Sequence, residues 1–186
     1  MFLICGLGNP GKEYINTRHN IGFKLIDKLT SFYNFLPFKK DSKKEIFKGL
    51  INSNSCLLMK PLNFMNLSGR PIQEIMNYYK IDHNKTYVIH DDLDLELGKV
   101  KLKFGGGNGG HNGLSNIDQM IGNSYHRIRI GIDHPGTKNL VSNYVLNKFT
   151  KDEINLVDER LDKITNNFNI LLDDRGLFLT KLAEDN

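Results

Sequence analysis

The sequence predicts an α/β fold, a single domain over residues 1–186 with a twisted mixed β-sheet flanked by helices. Three observations predict it. Short apolar runs alternate along the chain with longer segments whose apolar residues recur every three or four positions, the patterns of strands and of helices lying on a sheet. The runs are of two kinds: "FLICGL" is apolar throughout, whereas "KVKLKF" alternates lysine with apolar residues. The first suits a strand buried on both faces and the second a strand wet on one face, so the sheet holding both is mixed. The length of 186 residues suits one well-formed core.

Each element follows in order. "FLICGL" opens the chain as a buried strand, and Leu25, Ile26, Leu29, Phe32 and Tyr33 then recur at helical spacing. "FLPFKKDSKK" reads as a basic connector. "FKGLI" and "CLLMK" predict a strand pair, followed by a loop and a helix carrying Ile72, Ile75, Met76 and Tyr79 on one face. Pro71 suits the first turn of that helix. "TYVIHDD" is a second buried strand, and "KVKLKF" follows it. Leu114, Ile117 and Ile121 predict a short helix, after which "HRIRIGI" alternates as a strand. The last helix opens with Thr150-Lys-Asp-Glu153, a capping-box pattern, and continues through Ile154, Val157, Leu161, Ile164 and Phe168.

Composition narrows the function classes. Twenty-five basic and 21 acidic side chains leave a net charge of +4, a mild excess compatible with a polyanionic partner. No apolar run approaches membrane-spanning length, so no membrane association is expected. The start "MFLICGLGNPG" lacks a basic n-region and turns after six residues, so no secretory signal is expected and the location is expected to be cytoplasmic. Cys5 and Cys56 lie in strand-like apolar runs, as reduced core thiols would.

The stretch "GGGNGGHNG" over residues 105–113 has six glycines in nine positions, with one imidazole and two amides between them. Gly105, Gly107 and Gly110 satisfy G-x-G-x-x-G, and Asp133 lies about 20 residues beyond, as in a dinucleotide fingerprint. The preceding strand argues against that reading, because a dinucleotide-binding first strand is apolar throughout and this one carries Lys99, Lys101 and Lys103 on one face. Asn112 could instead cap the helix that starts near Leu114. A cap does not require six glycines, whose missing side chains let a ligand or another backbone approach closely.

Other polar residues fall at the ends of elements: Asn9 in "GLGNPG", His19 in "TRHNIG", Asn66 in "NFMNLSG" and Asp91 in "VIHDD". Taken singly, each has an ordinary reading as a turn residue, first-turn histidine, cap or surface charge. Together with Asn112 they supply a base, a carboxylate and three neutral amides at the strand ends, where α/β sheets build their sites. That set suits hydrolysis by an activated water. The imidazole accepts the proton, the carboxylate fixes its tautomer, and amides donate to a developing oxyanion. Ser68 is not in a nucleophile elbow and Cys5 lies inside a strand, so a covalent intermediate is disfavoured. A metal hydrolase using His90, Asp91, Asp92 and Asp94 of "HDDLD" is the rival, although successive strand residues point to opposite faces.

The motifs "GLGNPGKEY", "TRHNIG", "FMNLSG", "HDDLDL", "GGGNGGHNGL" and "RIRIGIDHPG", in that order over roughly residues 1–150, together resemble the bacterial peptidyl-tRNA hydrolase family. The resemblance implies a monomeric α/β enzyme without metal or cofactor. Its reaction would cleave the ester joining a peptide to the terminal ribose of tRNA, recycling tRNA from peptidyl-tRNAs released by the ribosome. By the same resemblance His19 is the general base, Asp91 its partner carboxylate, and Asn9 the residue distinguishing blocked from free aminoacyl substrates. Tyr14, Phe64, Asn66 and Asn112 correspond to binding positions around the terminal adenosine and peptide, with Asn66 the better candidate for orienting the carbonyl. Lys103 and Arg129 correspond to contacts with an acceptor-stem phosphate.

The sequence departs from the family pattern at Asn63 and Asn108, and "GNSYHR" is a short connection. These departures bear on fine positioning, not on His19, Asp91, Asn9, Asn66 or Asn112. The alternative to an enzyme is a non-catalytic RNA-binding module on the same fold, which would need no base–carboxylate pair.

Overall fold

β1 (Phe2–Gly6) lies mid-sheet, where a strand apolar on both sides belongs. In the computed structural model, which describes residues 1–184, seven strands run in the order β2-β3-β4-β1-β5-β7-β6. The others are β2 (Leu36–Lys40), β3 (Lys44–Ile51), β4 (Asn54–Pro61), β5 (Thr86–Asp92), β6 (Val100–Phe104) and β7 (His126–Gly131). β1 pairs in parallel with β4 and β5, and β5 in parallel with β7. The outer pairs β2/β3, β3/β4 and β6/β7 are antiparallel. The sheet is therefore mixed, as expected.

Alternation along the central strands explains the two cores. Ile4 of β1, Leu58 of β4, Tyr87 and Ile89 of β5, and Ile128 and Ile130 of β7 face α1 (Ile21–Phe32), α5 (Lys151–Asp173) and α6 (Arg175–Ala183). Leu3, Cys5, Leu57, Met59 and Val88 face α2 (Gly69–Tyr79) and α3 (Asn112–Ile121), meeting Ile72, Ile75, Met76, Leu114 and Ile117. Phe168 of α5 is fully buried against the first face, so its truncation to alanine would cost about 3–5 kcal/mol. Cys5 and Cys56 are buried free thiols, and burial pushes the Cys56 thiol up to about 11.

Two expectations are corrected. "FLPFKKDSKK" is not a plain connector: Leu36–Lys40 forms edge strand β2, and Lys44 opens β3. All five β2 residues are exposed, and a register shift lies between Pro37 and Lys39; an edge position tolerates both proline and lysine. The capping box at Thr150 and Glu153 does open α5, but α5 is not the last helix. The Asp174 side chain accepts from the Leu177 N–H and starts α6, which buries Phe178 and Leu182. A further short helix, α4 (Val141–Leu146), precedes α5.

Close backbone contact brings α1 over the end of β1. A Cβ on Gly22 would lie 2.4 Å from the Leu7 nitrogen, and one on Gly6 would lie 2.2 Å from the Gly22 oxygen. Only glycine allows that approach, and it sets the start of α1 above the carboxyl ends of β1 and β5.

Candidate active site

The carboxyl ends of β1 and β5, the starts of α1 and α3, and α4 enclose a cleft of about 900 Å³. Asn9, His19, Phe64, Asn66, Asp91, Lys103, Asn112 and Arg129 all line it. Tyr14 stands behind this wall and packs edge-on against Phe64, with ring centroids 6.5 Å apart.

His19 sits in a single 3-10 turn, Arg18–Asn20, directly before α1. Its Nδ1 lies 2.9 and 2.8 Å from the two oxygens of Asp91. An ionised carboxylate only accepts, so the hydrogen is on Nδ1 and Nε2 keeps a lone pair toward the cleft. The turn is pinned from outside. Arg18 donates to Glu153 at 2.7 and 2.9 Å and to the Lys148 carbonyl at 2.9 Å. Its guanidinium also lies 4.2 Å above the Tyr144 ring.

A second imidazole completes the arrangement. His111 donates from Nε2 to Asp91 Oδ1 at 3.0 Å, while its Nδ1 accepts from the Gly113 and Leu114 N–H groups at 3.1 and 3.3 Å. The cap of α3 is therefore His111, not Asn112. Asn112 occupies the first helical position with its side chain exposed. The sequence offered one signal for His111, an imidazole immediately before the helix, but its partner Asp91 lies 20 residues upstream. Burial alone would raise the Asp91 carboxyl; His19 and His111 outweigh it and hold Asp91 below the usual carboxylate range.

Asn9 is fixed by a reciprocal pair. Its N–H donates to Asn20 Oδ1 and its carbonyl accepts from Asn20 Nδ2, both at 2.9 Å. Asn9 Oδ1 accepts from the Met65 N–H at 2.8 Å. The amide orientation is thereby set, and Nδ2 is the group left to donate. Met65 belongs to the turn that carries Asn66, so one hydrogen bond ties the two amides together.

Across the cleft stand the cations. Lys103 is exposed and has no ion pair among the described residues. Arg129 is half-buried, and its Nε donates to Asp92 Oδ2 at 2.6 Å, which leaves the guanidinium tips facing outward.

His19, Asp91 and His111 offer three ligand atoms within 4.8 Å of one another. The tautomers speak against a metal there. A neutral imidazole has one lone pair, and that of His111 already accepts the two α3 N–H groups. Ligation through Nε2 would put a hydrogen on Nδ1 and break the cap. The residues of "HDDLD" do not converge either. His90 Nδ1 donates to the Asp91 carbonyl at 2.7 Å, and Asp92 pairs with Arg129. Burial pushes the His90 imidazole down to about 3, so it is neutral.

The family model described as peptidyl-tRNA hydrolase matches residues 3–184. A peptidyl-tRNA hydrolase from Rickettsia bellii (strain RML369-C) is 50% identical over 176 residues, covering 94% of this chain and 95% of that one. One from Rickettsia prowazekii (strain Madrid E) is 48% identical over 174 residues, covering 93% and 94%. The crystal structure of peptidyl-tRNA hydrolase from Acinetobacter baumannii superposes with a TM-score of 0.92 at 37% identity, covering 98% of this chain and 94% of that one.

Proposed function

This chain belongs to the peptidyl-tRNA hydrolase family, and we propose that the whole chain acts as one monomeric, cytoplasmic enzyme using a histidine-activated water. The substrate is peptidyl-tRNA, and the reaction is hydrolysis of the ester between peptide and tRNA. What carries the reading is the pairing of Asp91 with two imidazole N–H groups, which fixes the tautomer of His19.

His19 Nε2 takes a proton from a water whose oxygen attacks the ester carbonyl carbon. The carbonyl π bond opens to an oxyanion, which accepts hydrogen bonds from the side-chain amides of Asn66 and Asn112. Asp91 stabilises the imidazolium that forms. Collapse breaks the bond to the terminal ribose oxygen, and His19 returns its proton there, so peptide acid and free tRNA leave. Asn9 Nδ2 donates to the carbonyl that a blocked α-amine carries and an unblocked one lacks. Phe64, braced by Tyr14, serves the terminal adenosine and peptide, while Lys103 and Arg129 hold an acceptor-stem phosphate. No step needs a metal or cofactor.

A turnover assay on peptidyl-tRNA with and without a chelator tests this. Equal release of free tRNA in both supports the reading. Chelator-sensitive release would return the metal mechanism, and binding without turnover would move the chain to the RNA-binding module.

A further inference from the structure

Two arginines lie two residues apart on β7, on the same face of the sheet, yet they occupy different environments. Both border the cleft, but Arg129 is only half-buried. Arg127 is 2% exposed. Its Nη1 donates to the Gly107 carbonyl at 2.6 Å, and its Nη2 donates to the Gly106 carbonyl at 2.9 Å and to Asp118 Oδ1 of α3 at 3.0 Å. Asp118 is held in turn by the Tyr125 hydroxyl at 2.8 Å. One planar fork thus joins β7, α3 and two consecutive carbonyls of the glycine stretch, a geometry that an ammonium cannot reproduce.

The stretch needs an anchor. Gly105, Gly106, Gly109 and Gly110 all have positive φ, and a Cβ on Gly107, Gly109 or Gly110 would meet nothing within 4 Å. Glycine loses more backbone freedom on ordering than any other residue. At the far end His111 ties the stretch to Asp91. At the near end the Lys103 side chain lies over Gly106, where an added Cβ would come within 2.5 Å of its Cε and Nζ. Lys103 is also the β6 partner of Arg127.

We propose that Arg127 is a positioning residue, which never touches RNA but fixes the glycine wall and, through Gly106, the place of the Lys103 ammonium. The phosphate role of Lys103 rests on the function proposed above; the anchoring of the wall does not. Replacement by lysine separates the fork from the charge. Arg127→Lys should speed amide exchange over residues 106–111 by roughly tenfold or more while leaving β1 and β5 unchanged. It should also raise KM for full-length peptidyl-tRNA by roughly tenfold, with kcat within about threefold of wild type. Asp118→Asn, which keeps Arg127 and the side-chain shape, should do the same to a smaller extent and covers the case in which the lysine variant fails to fold. Wild-type exchange and KM in a folded Arg127→Lys, or in Asp118→Asn if the lysine variant does not fold, would overturn the proposal, since charge alone would then suffice. Faster exchange throughout the sheet would also overturn it, by making Arg127 a general core residue. If Arg127→Lys frees residues 106–111 but Lys103→Ala leaves KM unchanged, the phosphate reading fails and the anchor stands.

Discussion

The two walls of the cleft are built in opposite ways. On one, His19 and Asp91 are 7% and 3% exposed, and the hydrogen-bonding groups of Asp91 and His111 that meet the wall are taken up within it. On the other, Lys103 is exposed and Arg129 keeps its guanidinium tips outward. The difference matches the division of work proposed for the two walls. Proton transfer needs an atom held to a fraction of an ångström, which burial and saturation provide. Attraction to a polyanion needs accessible charge, which the outward-facing cations provide. The first wall should therefore govern kcat and the second KM.

The sharpest way to break that division is at the base. His19→Ala should lower kcat on the order of a hundredfold or more while the variant still binds tRNA, measured by turnover and by direct binding. Near-normal turnover would remove His19 from the mechanism. Asp91→Asn should lose less than His19→Ala, because the imidazole remains while its tautomer is no longer enforced. A loss equal to that of His19→Ala would show that the carboxylate does more than orient.

Asn9 sharpens the comparison within the first wall. Removing one donated hydrogen bond is worth about 1 kcal/mol, so Asn9→Ala should narrow the rate ratio between N-acetylaminoacyl-tRNA and aminoacyl-tRNA by about fivefold. Equal slowing of both substrates would make Asn9 a general positioning group.

A further effect is on stability rather than turnover. His90 is held neutral by burial, its imidazole lowered from 6.5 to about 3. The unfolded chain binds that proton and the folded one does not, so the stability His90 contributes is full above about pH 6.5 and declines as pH falls toward 3. His90→Gln should flatten the slope of unfolding free energy over that window by about 1.4 kcal/mol per pH unit at its steepest. An unchanged slope in denaturant titrations would place the acid sensitivity elsewhere.

The parts of the molecule legible in the sequence are those set by local pattern. β1 and β5 announced themselves because both faces are buried, and α5 because its cap and apolar stripe are contiguous. β2 did not, since an edge strand with every residue exposed carries no burial pattern. α6 buries only Phe178 and Leu182 while Leu177 and Leu179 stay exposed, too narrow a stripe to stand out. At the site, the residues at strand ends were readable, but His111 was not, because its role depends on Asp91 across the fold. Nor could period-two alternation tell Arg127 from Arg129. The cover supplied by Asp118 and the glycine carbonyls decides which of them is buried.

The most direct test of the division of labour compares two substrates, full-length peptidyl-tRNA and a peptide esterified to a short nucleotide that ends before the stem. On the full-length substrate, Lys103→Ala and Arg129→Ala should raise KM with kcat close to wild type, and flatten the logarithmic salt dependence of binding by roughly one unit or less. On the short substrate both variants should match wild type, whereas His19→Ala should fail on both. If the Lys103 and Arg129 variants lose equally on the two substrates, these cations support the catalytic centre, and the separation of the two walls is wrong.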